Sequence, residues 1–153
     1  MTQSPVETEL DRLARSPLAE EVTFLIARVT SVSNAKANAA LADLGLKVRS
    51  YSVLNLAASD LQPTQRELAQ MLSLDPSQIV SLVDDLEANG LILREQDPRD
   101  RRQKVISATP DGIKLLKEAR KRTQEAQAES LAPLSPEEQV VFREMMVRLS
   151  FNA

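Results

Sequence analysis

Apolar residues at Leu18, Val22, Leu25, Val29, Val32, Ala40 and Leu44 recur at mostly helical spacing, which predicts one long first helix closed by Gly45, a residue that tolerates a left-handed cap. Val48, Tyr51, Leu54 and Ala58 continue the pattern as a short helix over 48–58, ended by the polar stretch Ser59 to Pro63. Thr64 and Glu67 form a capping box opening a helix over 65–72, with Leu68, Ala69 and Leu72 inward. After a tight turn at Ser73 and Leu74, Asp75 and Pro76 start another, whose stripe Ile79, Leu82, Val83, Leu86 runs to Gly90. The period then changes. Leu91–Arg94 and Val105–Ala108 are short aliphatic runs around a polar segment containing Asp97-Pro98, which predicts a two-stranded hairpin with a charged tip. Helix resumes at Thr109-Pro110 with Ile113, Leu116, Ala119, Thr123 and Ala126 on one side. A second capping box, Ser135 to Glu138, precedes Val141, Met145 and Leu149.

Composition agrees with a mainly α fold, since Ala and Leu are abundant and only three glycines and four aromatic residues occur. At 153 residues the chain makes one domain or two lobes sharing a core. Without Cys or His it has no thiol redox chemistry, no thiolate or imidazole metal site and no Ser-His-Asp or Cys-His arrangement. The neighbouring acids Glu20-Glu21, Asp84-Asp85 and Glu137-Glu138 point about 100° apart on a helix and cannot flank one bond as acid and base. Ser33-Asn34-Ala35-Lys36 lacks the companion strings of acyl-transfer enzymes, and three scattered glycines build no phosphate-cradling loop. The expectation is a non-enzyme without a metal or cofactor. Met1 to Arg15 has no leader pattern and no apolar run spans a bilayer, so a cytoplasmic protein without membrane association is expected.

Helix, tight turn, helix and hairpin is the order of a winged helix-turn-helix, whose second helix can enter a major groove while the hairpin reaches backbone or minor groove. The second helix leaves Ser77, Gln78, Val80 and Ser81 for base edges: Gln can pair bidentately with adenine, and a Val methyl can touch that of thymine. The net charge of −3 averages over an uneven distribution. From Leu61 to Leu93 Arg66 is the only cation against five acids, whereas Arg94, Arg99, Arg101, Arg102 and Lys104 face only Glu95, Asp97 and Asp100. That cluster is a phosphate-sized patch and the grip on DNA is expected there, with Asp97 and Asp100 as wing support and Asp100 the acid expected to hold an arginine.

The run Leu68-Ala69, Asp75, Ile79, Val83, Leu86-Glu87 and Gly90-Leu91, continued by Asp97-Pro98-Arg99-Asp100-Arg101-Arg102 and Thr109-Pro110-Asp111-Gly112, resembles the MarR family of transcriptional regulators. The Asp-Pro-x-Asp-Arg-Arg wing followed by Thr-x-x-Gly is its most specific part, and the likeness covers about residues 18–150. The resemblance implies a homodimer with interlaced terminal helices, in which residues 1–45 and 113–153 dimerise and 46–112 form the DNA-binding lobe. It further implies a pseudopalindromic double-stranded DNA operator, usually repression, and release by an aromatic or lipophilic small molecule bound beside the dimerisation helices. Candidate ligand contacts are Phe24, Arg28 and Tyr51, against core packing for the two aromatics and a surface ion pair for Arg28. The acids Asp84, Asp85 and Glu87 support an alternative, a winged-helix dimer that docks a protein partner without specific DNA binding.

Overall fold

In the computed structural model, which describes residues 8–151, the chain runs through α1 (Glu9–Leu13), α2 (Val22–Leu41), α3 (Val48–Ala57), α4 (Gln65–Leu72), α5 (Pro76–Ala88), β1 (Ile92–Gln96), β2 (Lys104–Ala108), α6 (Pro110–Leu131) and α7 (Pro136–Phe151). This is the mainly helical winged helix-turn-helix with a two-stranded wing that the patterning predicts. Residues 1–7 of the expected N-terminal region and 152–153 of the C-terminal one lie outside the described residues.

The first helix differs from expectation. Pro17–Glu20 form a 3-10 turn and Glu21 is extended (ψ 118°), so α2 starts at Val22 and Leu18 belongs to the preceding turn. Helix α1, which the apolar stripe does not mark, is opened by a Thr8/Asp11 capping box. At the other end α2 tightens into a 3-10 turn, Ala42–Leu44, and Gly45 takes the left-handed conformation expected of it (φ 66°).

The chain divides into two units, one ending at Ala35 and one starting at Lys36. Within the second, Leu41, Leu46, Val53, Leu54, Leu68, Ile79, Val83, Leu86, Ile92, Ile106, Leu116 and Ala119 form the buried core. They come from the end of α2 (Leu41), the segment after it (Leu46), the inward positions of α3 to α6 and one face of the hairpin. Asn38 Oδ1 accepts the Val48 N–H (2.8 Å) and so satisfies an open donor at the start of α3.

Strand β1 starts one residue later than predicted, because Leu91 closes α5: its N–H donates to the Leu86 carbonyl (3.0 Å) beside the left-handed Gly90 (φ 70°). The antiparallel register sets Ile92 opposite Ala108 and Gln96 opposite Lys104. On its other side β2 is tied to the segment before α4, through a Thr64 to Val105 bridge and an Ile106 N–H to Pro63 carbonyl bond of 2.8 Å.

The start of α6 is built against the start of the wing. Thr109 Oγ1 donates to the Gly90 carbonyl (2.6 Å) and accepts from the Gly112 N–H (3.0 Å), while the Thr109 N–H donates to the Leu91 carbonyl (3.0 Å). Gly112 sits so close that a Cβ there would lie 2.0 Å from the Leu91 carbonyl oxygen.

Among the described residues α2 and α7 each expose large apolar side chains. Val22, Leu25, Ile26, Val29 and Val32 on α2 are 41–68% exposed, and Val140, Val141, Met145, Val147, Leu149 and Phe151 on α7 are 40–64% exposed. Among the described residues no helix is long and apolar enough to cross a membrane.

Candidate nucleic-acid interface

Helix α5 buries Ile79, Val83 and Leu86 and leaves Ser77, Gln78, Val80 and Ser81 exposed. The stripe that feeds the core therefore turns a polar face to solvent, with Val80, 42% exposed, as its one large apolar group. Two of these side chains also serve the helix: Gln78 Oε1 accepts the Asp75 N–H (3.2 Å), and Ser81 Oγ donates to the Ser77 carbonyl (3.3 Å). The Asp75 N–H uses one of the two acceptor positions of Gln78 Oε1, and among the described residues its Nε2 donates no hydrogen bond.

The wing sorts its five cations into two kinds. Arg101, Arg102 and Lys104 are exposed and make no ion pair among the described residues. Arg66, near the start of α4, is exposed in the same way. Arg99, although its side chain is half exposed, is anchored: its Nε (3.0 Å) and Nη2 (3.2 Å) donate to the Asp97 carboxylate, and Nη2 also donates to the Gln62 carbonyl (3.1 Å). The acid that holds an arginine is thus Asp97 and not Asp100. Asp100 instead shapes the turn, accepting from the Arg102 N–H (3.0 Å) and from Gln103 Nε2 (3.2 Å). Two residues of separation let the Asp97 carboxylate accept both the N–H and the guanidinium of Arg99, whereas Asp100 is spent on the turn.

Arg94 also differs from a phosphate-seeking cation. Its side chain is 18% exposed and pairs with Asp84 and Glu87 of α5, while its Nε donates to Gln65 Oε1 of α4 (2.9 Å) and its N–H to Glu87 Oε1 (3.1 Å). Desolvation works against the charge, but the hydrogen bonds to Asp84 and Glu87 outweigh it and raise the guanidinium above its ordinary range. Two of the three acids that supported the protein-docking alternative are thereby paired with one cation within the fold.

Asp97 is almost enclosed, 4% exposed. The side-chain hydrogen bond from Arg99, then that from the Arg99 backbone, hold its carboxyl below the usual carboxylate range. A carboxyl lowered in the fold stabilises at pH above its unfolded value and ceases to as pH falls through the folded one. The wing tip is expected to loosen below about pH 4, seen as broadened amide resonances over residues 97–103, and Asp97→Asn should loosen it already at neutral pH. A tip equally ordered in that variant would refute the anchor.

The candidate ligand contacts fall in different units. Phe24 is half-buried and Arg28 exposed on α2, in the first. Tyr51 belongs to the second, its hydroxyl accepting from Asn55 Nδ2 (3.2 Å) and Thr123 Oγ1 (3.3 Å). Sequence reasoning missed Gln65 and Gln62 as anchors of the wing, since neither carries a pattern marking it as a partner for residues 29 and 37 positions later.

Residues 46–104 match the family model described as MarR family. A MarR-family transcriptional regulator from Rhodococcus sp. RHA1, solved by crystallography, superposes with a TM-score of 0.84 at 37% identity, covering 90% of this chain and 98% of that one. CouR from Rhodococcus jostii RHA1, solved bound to p-coumaroyl-CoA, gives 0.82 at 38% identity, covering 90% and 97%. The HTH-type transcriptional repressor Rv2887 of Mycobacterium tuberculosis is 28% identical over 126 residues, 82% of this chain and 91% of its own length. Its crystal structure with salicylic acid superposes at a TM-score of 0.71 with 27% identity, covering 84% of this chain and 96% of that one.

Proposed function

Because this chain belongs to the MarR family of transcriptional regulators, we propose that it acts in the cytoplasm as a homodimeric repressor, set on a pseudopalindromic operator and released by an aromatic acid or its CoA thioester. The observation that carries the DNA-binding half is the wing. Three exposed cations that make no ion pair among the described residues accompany a helix whose solvent face is short and hydrogen-bonding. Helix α5 would lie in the major groove, with Ser77, Gln78, Val80 and Ser81 toward base edges, and Arg66, Arg101, Arg102 and Lys104 on phosphate or in the minor groove.

The exposed apolar side chains of α2 and α7 support the dimer, since Val, Leu and Phe side chains gain about 25 cal/mol per Å² when a second copy covers them. Residues 1–45 and 113–153 are the regions we assign to that contact and 46–112 to DNA. Analytical ultracentrifugation should show a dimer at micromolar concentration, and Val141→Glu with Met145→Glu should yield monomer. A monomeric wild type would defeat the assignment.

Selection from a random duplex pool tests the function. The bound DNA should show two related half-sites about 10 base pairs apart, centre to centre, and Gln78→Ala should change the preferred base while leaving overall affinity within about 3 kcal/mol. Recovery of no common sequence would sink specific recognition.

The effector class follows from the relatives, one solved with p-coumaroyl-CoA and one with salicylic acid. Release needs only that the ligand prefer one spacing of the two lobes. Salicylate or p-coumaroyl-CoA added to the selected complex should free the DNA. Arg28, exposed on α2, is the cation we assign to the carboxylate, and Arg28→Ala should raise the salicylate concentration required; Phe24, one turn earlier on the same helix, is the aromatic contact to substitute beside it, and Tyr51 is substituted separately. If neither compound releases DNA, the effector reading fails and the DNA-binding one stands.

A further inference from the structure

Ser77 lies three and four residues before Val80 and Ser81, Asp84 four and three residues after them and Glu87 three beyond Asp84, so these residues lie along one side of α5. The face offered to base edges therefore carries two acids at its C-terminal end. Against phosphate each would be repulsive, by roughly 1 kcal/mol at 4 Å in bulk water and more where water is displaced. The structure sets a single cation against both. Arg94 pairs with Asp84 and Glu87 through separate guanidinium nitrogens, and the third nitrogen, Nε, donates to Gln65 of α4 at 2.9 Å.

Its position in the hairpin explains why it is available. Side chains alternate faces along a strand, so Arg94 shares the inward face of β1 with the fully buried Ile92, while Leu93 and Glu95 point out. A charge on that face is 18% exposed and must be paired, and the acids it meets lie on α5. One side chain thus fastens the wing strand to both helices of the helix-turn-helix, with the Arg94 N–H adding a bond to Glu87 Oε1 at 3.1 Å.

We propose that Arg94 is a positioning residue of the DNA-binding surface, which acts by screening Asp84 and Glu87 on the recognition face, one positive charge set against two negative, and fixing the wing to α4 and α5, and not by touching DNA. This rests on the regulator reading above and assigns Arg94 a different role from Arg101 and Arg102. A phosphate ligand and a charge mask leave different marks on the salt dependence of binding. Removing a phosphate ligand makes the slope of log affinity against log salt shallower by about 0.9. Removing a mask weakens binding while every cation that meets phosphate stays in place, so the slope is kept.

The test uses four full-length proteins and one duplex, the sequence selected by the wild type, titrated over a salt series with thermal melts of each protein alone. Arg94→Gln should bind about tenfold or more weakly with its salt slope unchanged. Adding Asp84→Asn and Glu87→Gln to that variant should restore most of the loss, because the charges that needed masking are gone. Asp84→Asn with Glu87→Gln beside an intact Arg94 should bind more tightly than wild type with a steeper slope, since an unmasked cation joins the surface; this arm stands even if Arg94→Gln does not fold. The proposal is overturned if Arg94→Gln makes the slope shallower by about 0.9 and removal of the acids restores nothing, which is the mark of a phosphate ligand. Unchanged binding in Arg94→Gln overturns it equally. A wild type that selects no duplex overturns the regulator reading itself, and is seen before any variant is compared.

Discussion

Replacing Arg101 and Arg102 together by alanine is expected to make the salt slope of operator binding shallower by nearly two, about 0.9 for each phosphate ligand removed. At moderate salt that corresponds to a loss of roughly a hundredfold in affinity, the largest functional effect expected of any two-residue change here. Both side chains are exposed, neither is ion-paired among the described residues, and neither supports the core. The variant should therefore melt as the wild type does and keep its base preference. Arg99→Ala is the informative contrast. Its guanidinium is held by Asp97 and the Gln62 carbonyl, so its loss disorders the tip as well as removing charge, and should lower binding and wing order together. Gel shifts over a salt series separate the cases, and a double variant with the wild-type slope would refute the assignment of the wing to DNA.

The largest expected effect on stability is at Gly112. An alanine Cβ there would lie 2.0 Å from the Leu91 carbonyl oxygen and 3.0 Å from its carbon, both backbone atoms of a residue held by its own hydrogen bonds. The start of α6 must then lift away from the wing, breaking the Thr109 to Gly90 and Thr109 to Leu91 bonds and opening the core beside Leu54 and Leu116. Overpacking into a soft side chain typically costs about 1–3 kcal/mol; against an immovable carbonyl the loss should reach about 3 kcal/mol or more. Gly45→Ala provides the scale. Nothing lies within 4 Å of its Cβ position, so its cost is only that of a left-handed residue, about 1–2 kcal/mol. Urea denaturation should rank the two in that order, and a Gly112→Ala protein as stable as Gly45→Ala would disprove the close approach.

Local features explain how much of the fold and the site is legible in the sequence. The Thr64/Glu67 and Ser135/Glu138 boxes each join groups three residues apart and form as read. Leu54 of α3, Leu68 of α4, Ile79, Val83 and Leu86 of α5 and Leu116 and Ala119 of α6 enter the core as the helical period predicts, whereas Val53 and Ala57 are buried beside the expected α3 stripe and Ile113 of the α6 stripe is 54% exposed; the hairpin falls where the period changes. The Thr109-Pro110-Asp111-Gly112 string is recognisable as a motif, but its purpose, a glycine beneath a carbonyl, needs the packing of α6 on Leu91. The differences at the wing are of one kind. Three acids near five cations make Asp100 a reasonable partner for an arginine, yet proximity along the chain cannot say which pair closes. The fold of the tip gives that bond to Asp97, which lies two residues before Arg99 and is enclosed. Position along the chain likewise groups Arg94 with the other wing cations. Counting two residues on from Ile92 places it on the inward face, a signal present in the sequence, but its partners on α5 and at Gln65 are set by docking.

What the sequence determined by itself was therefore much of what is held by short range: the caps of α4, α5 and α7, the core-facing positions of α4 and α5 through period, the wing through its change of period and charge, and, by the lack of Cys and His, the thiol and imidazole chemistry this sequence cannot supply. What only the tertiary structure decided was which charges remain available. Of five cations in the wing segment, two are paired with carboxylates and three make no ion pair among the described residues. The acids that made α5 look hostile to phosphate are half of the same arrangement. The physical reason is that a charge counts toward a distant partner only after its nearest neighbours are subtracted, and those neighbours are assigned when helix, strand and loop pack together.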